Sequence, residues 1–152
     1  MLTGERIKIR NPNAVRPWQH VLEPLSGYLL LCQRMYIDGD AYAQAWNFGP
    51  SEGDAKPVEW IVNQMLERWP AKHPGYEIVD SDRKHEATML KLDCSKAFAE
   101  LELHPAWTLD KALDATLKWT IGYMHGVDIM ELCRGQITEY ELEASRDLQV
   151  TS

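Results

Sequence analysis

The sequence predicts a mixed, helix-rich α/β domain, and three observations predict it. Several long segments repeat apolar residues at the three- and four-residue spacing of an α-helix. Between them lie short stretches that alternate in polarity or run apolar for a few residues, as strands do. The chain of 152 residues is one domain's worth, enough for a single core. No internal repeat or low-complexity tract breaks it up.

In chain order, residues 6–10 alternate charged and apolar side chains, so Ile7 and Ile9 share a face and the stretch reads as a half-buried strand. Asn11, Pro12 and Asn13 are turn chemistry, and Pro17 forces an extended backbone on Arg16. A first helix is expected over 23–38. Pro24 suits its first turn, Leu22, Leu25, Leu29, Cys32 and Tyr36 form its apolar stripe, and Gly39 ends it. Residues 45–49, AWNFG, read as a short apolar strand stopped by Gly-Pro. A polar loop, SEGDAK, leads to a second helix that opens at Pro57 and runs to about 69, with Val58, Ile61, Val62, Met65, Leu66 and Trp69 in helical register.

Residues 76–79 and 89–92 read as strands on either side of a charged loop that holds Arg83, His85 and Glu86. A short helix is expected over 95–101. Thr108 caps a longer one, whose period holds from Leu109 through Met124 until Gly126. Asp128 and Glu131 have the spacing of a capping box for a last helix to about 144. These strands do not add up to a complete sheet with hairpins, which is odd for an independent fold.

The composition, 45% apolar and 26% charged, is that of an ordinary water-soluble globular chain. No apolar run approaches the roughly 20 residues of a membrane span, and the start MLTGERIKIR lacks a signal-peptide core. Cys32, Cys94 and Cys133 are far apart, without a CxxC, and fall on apolar helix faces or at a helix start. They read as small buried hydrophobes in a reducing cytoplasm.

Net charge is −7, yet the first twenty residues carry Arg6, Lys8, Arg10 and Arg16 against Glu5 alone, a net of +3 that leaves −10 for the remainder. That balance argues against nucleic acid and suits a small anionic ligand. A solvated strand face accounts equally for Arg6, Lys8 and Arg10. It does not account for Arg16, which sits among prolines.

There is no GxxxxGK[ST], GxGxxG, HExxH or GxSxG. His73, His104 and His125 lie beside Pro or Gly and read as surface residues, while His20 is placed to bond exposed N–H groups at the start of the first helix. Trp60, Trp69 and Trp119 read as helix packing residues. Trp46 falls in a strand, and Trp18 and Trp107, though in loops, also read as packing rather than as a stacking platform. The 82–86 loop is either a solvated charge run or, together with Arg16, one of two basic loops converging on one diphosphate. Arginine suits the second role because its planar fork bonds phosphate oxygens in pairs.

The block RNPNAVRPWQHVLEPLSGYL, residues 10–29, resembles the corresponding block of CDP-glucose 4,6-dehydratases, which are extended short-chain dehydrogenase/reductases acting on a nucleotide sugar. The resemblance continues through WNFGP, PVEWIV, HEATMLKLDCSKA and ALDATLKWTIGY, and so covers nearly the whole chain. It implies that residues 1–152 are a single substrate-binding lobe, the C-terminal half of such an enzyme, without the Rossmann half that holds NAD and a catalytic Tyr-x-x-x-Lys. No tyrosine here has a lysine four positions on. The family's chemistry is oxidation at C4, loss of water across C5–C6 and hydride return to C6. The resemblance implies that this chain, as a truncated product or excised lobe, neither binds NAD nor completes that chemistry alone.

Residue by residue, the resemblance makes Arg16 the arginine that grips the diphosphate and Glu23 the acidic residue opening the next helix. Arg83 and His85 match the loop closing over the phosphates from the other side, and Arg10 lies near the nucleoside. The WNFG stretch resembles the strand that completes the edge of the Rossmann sheet. One departure is Leu101-Glu102-Leu103, where the family usually has Leu-Gly-Trp; a left-handed backbone there would cost about 1 kcal/mol with Glu in place of Gly. The alternative is a non-catalytic module that reuses the lobe, exposes the apolar edge that would meet the Rossmann half, and associates with itself or a partner, self-association being expected through the unpaired WNFG strand.

Overall fold

A computed structural model describes residues 4–79 and 87–150. Its strands are β1 (Ile7–Ile9), β2 (Val15–Pro17), β3 (Ala55–Pro57) and β4 (Tyr76–Ile78). Its helices are α1 (Leu22–Asp38), α2 (Val58–Arg68), α3 (Ser95–Leu101), α4 (Leu109–Met124) and α5 (Ile129–Val150), with single 3-10 turns at Gly39–Tyr42 and Glu52–Asp54. The expected mixed, helix-rich architecture is what forms. Among the described residues the strands make two separate ribbons: β1 beside β4 in parallel, and β2 beside β3 antiparallel.

Packing centres on α4, which buries Leu109, Ala112, Leu113, Ala115 and Leu117. On one side Leu109 and Leu113 meet Ile61 of α2, with Trp18, Trp60 and Met65 against them. On the other, Ala115 meets Trp107 and Tyr140 of α5, with Leu22 and Ala144 against them. Arg68 joins α2 to α4, with its guanidinium 2.6 Å from Asp110 and 3.0 Å from Asp114. Lys111 joins α4 to α5 through Glu139 and Glu143.

Local chemistry explains most helix ends. Thr108 Oγ1 accepts from the Lys111 N–H at 3.4 Å, and Asp128 Oδ1 accepts from the N–H groups of Met130 at 2.8 Å and Glu131 at 3.3 Å. The first amides of α2 donate to the preceding loop, Val58 to Ala14 O and Glu59 to Pro12 O, each at 3.0 Å. At the end of α3, Glu102 is left-handed with φ 53° and ψ 29°, the one non-glycine residue with positive φ among those described. The strain anticipated from the sequence is therefore present.

Three expectations are corrected. Residues 45–49 are not a strand. Trp46 donates its indole N–H to Tyr42 O, Asn47 Nδ2 donates to Asp93 O, and Phe48 O accepts from Gln19 Nε2, so side chains rather than a ladder tie this segment. Residues 89–92 make an isolated bridge from Met89 to Val15 rather than a strand. The apolar stripe of α1 is uncovered: Leu25, Leu29, Cys32 and Tyr36 are exposed, Leu29 by 73% and Tyr36 by 92%, and only Glu23 and Gly27 of this helix are buried. Cys32 is thus not a core residue; Cys94 is buried and Cys133 half-buried. No helix among the described residues is long and apolar enough to cross a membrane.

Candidate functional site

The antiparallel ribbon sets Val15 opposite Pro57, Arg16 opposite Lys56 and Pro17 opposite Ala55. A proline ends each strand, where the lost donor matters least. On its other edge β2 is held by residues 88–90: the Val15 N–H donates to Thr88 O at 2.8 Å, and the Leu90 N–H donates to Val15 O at 3.0 Å. Arg16 is half-buried on this strand, and its Nη1 donates to Val15 O and Ala87 O, each at 2.9 Å. Beside the ribbon opens a cleft of about 260 Å³, walled by Pro17, Ser51, Glu52, Lys91, Asp93 and Phe98.

The chain from the ribbon to α1 has no slack. Trp18 donates its indole N–H to Lys56 O at 2.8 Å, and Gln19 Nε2 reaches Phe48 O at 3.0 Å. His20 is buried, its ring 4.8 Å from that of Trp107, and its Nδ1 accepts from the Leu22 N–H at 3.3 Å, the backbone role expected of it. Burial lowers its pKa, which holds the ring neutral as an acceptor.

Glu23 fastens the start of α1. Its side chain is buried, and three donors converge on it: the Trp107 N–H on Oε1 at 2.8 Å, and the Ala106 N–H at 3.2 Å and Tyr140 hydroxyl at 2.9 Å on Oε2. Desolvation raises its pKa, and these hydrogen bonds oppose the rise. Tyr140 is also raised, first by burial and then by the adjacent carboxylate, so its hydroxyl stays a donor. The result ties α1, the lead-in to α4, and α5 into one unit.

Of the residues singled out in the sequence, Arg16 lies on β2 next to Pro17, which walls this cleft; Arg16 itself is not among the residues that line it. Arg83 and His85 fall within residues 80–86, outside the described residues. The flanks of that segment are placed, however. The Val79 N–H donates to Ile9 O at 2.9 Å, and Ala87 is the residue whose carbonyl takes Arg16. Arg10 follows Ile9 directly and is exposed, just past the end of β1, while Arg16 lies on β2. Lys56, opposite Arg16, lies in a stretch that reads as a polar loop, so no sequence pattern marks it. Among the described residues no group of three or more His, Cys, Asp or Glu side chains could hold a metal ion.

These observations describe a helix-rich α/β fold with Arg16 and Lys56 paired on a short two-stranded ribbon, and its sequence relationship is to a nucleotide-sugar dehydratase. No family model matches the chain. Over 143 residues it is 42% identical to the CDP-glucose 4,6-dehydratase of Salmonella typhimurium strain LT2, and the match takes in 94% of this chain. The resemblance read from the first block of the sequence therefore holds along nearly its whole length. The match spans 40% of that relative's length, which is consistent with a C-terminal part.

Proposed function

We propose that this chain is the nucleotide-sugar-binding portion of a CDP-glucose 4,6-dehydratase, an enzyme that converts CDP-glucose to CDP-4-keto-6-deoxyglucose and water. In this reading Arg16 holds the diphosphate, Arg83 and His85 close over it from the 80–86 segment, and Arg10 lies toward the nucleoside. One observation carries the reading: Arg16 Nη1 reaches the carbonyl of Ala87, so the basic N-terminal stretch meets the end of the second basic loop at one place.

NAD and the catalytic groups belong to the remainder of such an enzyme. Neither GxGxxG nor Tyr-x-x-x-Lys occurs in these residues, so they do not fit the cofactor and carry no step of the oxidation or hydride return. The chain by itself is expected to bind substrate without turning it over.

Titration calorimetry with CDP-glucose and with glucose tests the binding claim. Heat from CDP-glucose alone is expected, and Arg16→Ala should weaken the interaction by about 2–5 kcal/mol if the pair is desolvated. Equal silence with both ligands would sink the claim.

The bare apolar side of α1 favours a second element of the reading. A helix carrying only Glu23, Arg34 and Asp38 as charges along Leu22–Asp38, most of whose apolar residues are exposed, is built to be covered. The rest of a longer enzyme would cover it; for the chain alone, self-association is the alternative. Sedimentation decides between them, since a monomer at high concentration excludes the second copy.

A further inference from the structure

We propose that, in the chain by itself, the exposed face of α1 docks on the same face of a second copy, the two helices packing antiparallel. The inference deepens the self-association named above, places it on α1 rather than on residues 45–49, and is independent of the reading of Arg16. Residues 45–49 are the weaker edge, since Trp46, Asn47 and Phe48 are already tied to their own chain.

The face has the spacing of a helix–helix seam. Leu25, Leu29, Cys32 and Tyr36 follow one another at intervals of four, three and four residues, the a and d positions of a heptad. Val21, which has helical backbone angles and is exposed, extends the same row by one turn. Tyr28 and Met35 flank the row on one side, Ser26 and Gln33 on the other, so the positions that carry charge in most coiled coils carry none here. Nothing on the face repels an identical face. The charges of α1 lie elsewhere: Glu23 is buried, Arg34 is half-buried and Asp38 ends the helix.

Size also suits a second copy. The 17 residues of α1 make a rod about 25 Å long. Tyr28, exposed by 55%, and Tyr36, exposed by 92%, together offer on the order of 200–350 Å². Leu25, Leu29, Met35 and Ile37, all exposed, bring the face toward the roughly 800 Å² that each partner of a standard interface buries.

Charge sets the direction. Asp38 and Asp40 are exposed at the negative end of the helix dipole. A parallel pair would bring the acidic ends of both copies together. An antiparallel pair places each acidic end beside the other copy's first turn, where Val21 supplies no side-chain cap. Crossing at about 20°, such a pair sets Leu29 against its symmetry mate, Cys32 against the second copy's Leu25, and Tyr36 against the second copy's Val21.

Sedimentation velocity over a range of concentrations tests the pairing, with wild type, Leu29→Glu and Leu25→Cys. Wild type is expected to dimerise. Leu29→Glu, at a position exposed in the single chain, should keep its far-UV dichroism and raise the dimer dissociation constant at least about a hundredfold, because it sets two like charges at the axis. Under mild oxidation Leu25→Cys should form an intermolecular disulfide between its new thiol and Cys32, identified by peptide mass mapping, whereas wild type should not join Cys32 to Cys32. Direct joining of Cys32 to Cys32 in wild type would overturn the antiparallel arrangement. A wild-type chain that stays monomeric at high concentration, or a dimer that Leu29→Glu leaves intact, would overturn the docking face. So would protection of the α1 amides from hydrogen exchange only when the remainder of a CDP-glucose 4,6-dehydratase is added, which gives the face to that remainder. Binding of CDP-glucose by a chain that remains monomeric overturns this inference and leaves the nucleotide-sugar reading standing; a dimer that binds no CDP-glucose does the reverse.

Discussion

Replacing Glu23 tests whether its carboxylate holds α1, α4 and α5 together. In Glu23→Ala the Trp107 N–H, the Ala106 N–H and the Tyr140 hydroxyl all lose their acceptor, and the Trp107 amide and the hydroxyl do so in a buried setting. Each buried donor left unpaired costs roughly 1–3 kcal/mol, and relief of the carboxylate's own desolvation returns part of the total. A loss of about 3–5 kcal/mol is therefore expected. Glu23→Gln is milder, about 1–2 kcal/mol. With its oxygen toward Trp107, its amide nitrogen faces Tyr140, whose hydroxyl can turn to accept, and only the Ala106 N–H is left in conflict. Urea unfolding at neutral pH reads both values. A loss below about 1 kcal/mol for Glu23→Ala would refute the role assigned to the carboxylate.

The same residue sets a pH dependence whose sign is fixed. The folded pKa of Glu23 is raised, chiefly by burial, so the folded state binds its proton more tightly than the unfolded state does. The stability this contributes is complete below the ordinary carboxylate range and is lost as pH rises through the folded value. The advantage of wild type over Glu23→Gln should accordingly narrow with rising pH across that window.

Two further substitutions follow from the backbone. Glu102→Gly relieves the left-handed end of α3 and is expected to stabilise by about 1 kcal/mol, or roughly 2–4 °C in Tm, read by calorimetric scanning; an unchanged or lower Tm contradicts the strain. Gly27→Ala would set its Cβ 2.7 Å from Phe48 Cδ1 and displace that ring from α1. A loss of about 1–3 kcal/mol is expected, with altered near-UV dichroism; neutral behaviour would mean that the 45–49 segment gives way freely.

The sequence revealed the helices because their signals are local. The period of α4, the cap at Thr108 and the acceptor at Asp128 all act within a few residues, and Ser95–Leu101 is the span anticipated for α3. What it hid depends on distant partners. The β2–β3 ribbon is three residues long and carries a proline in each strand, a residue that argues against a strand wherever it is met in isolation. Glu23 marks a helix start by its type, but its partners lie 83, 84 and 117 positions away, and no spacing announces them. The stripe on α1 was legible as apolar. Periodicity identifies a face that needs covering, and it carries no information about which chain supplies the cover.

That uncovered face and the cation-bearing ribbon are two ends of one short stretch. Only residues 18–21 separate β2 from α1, and three of those four are fixed: Trp18 to the carbonyl of Lys56, Gln19 to that of Phe48, and His20 against Trp107. Glu23 then locks the first turn of the helix to α4 and α5. A tether this short, with three of its four residues bonded, fixes the start of α1 close to the end of β2.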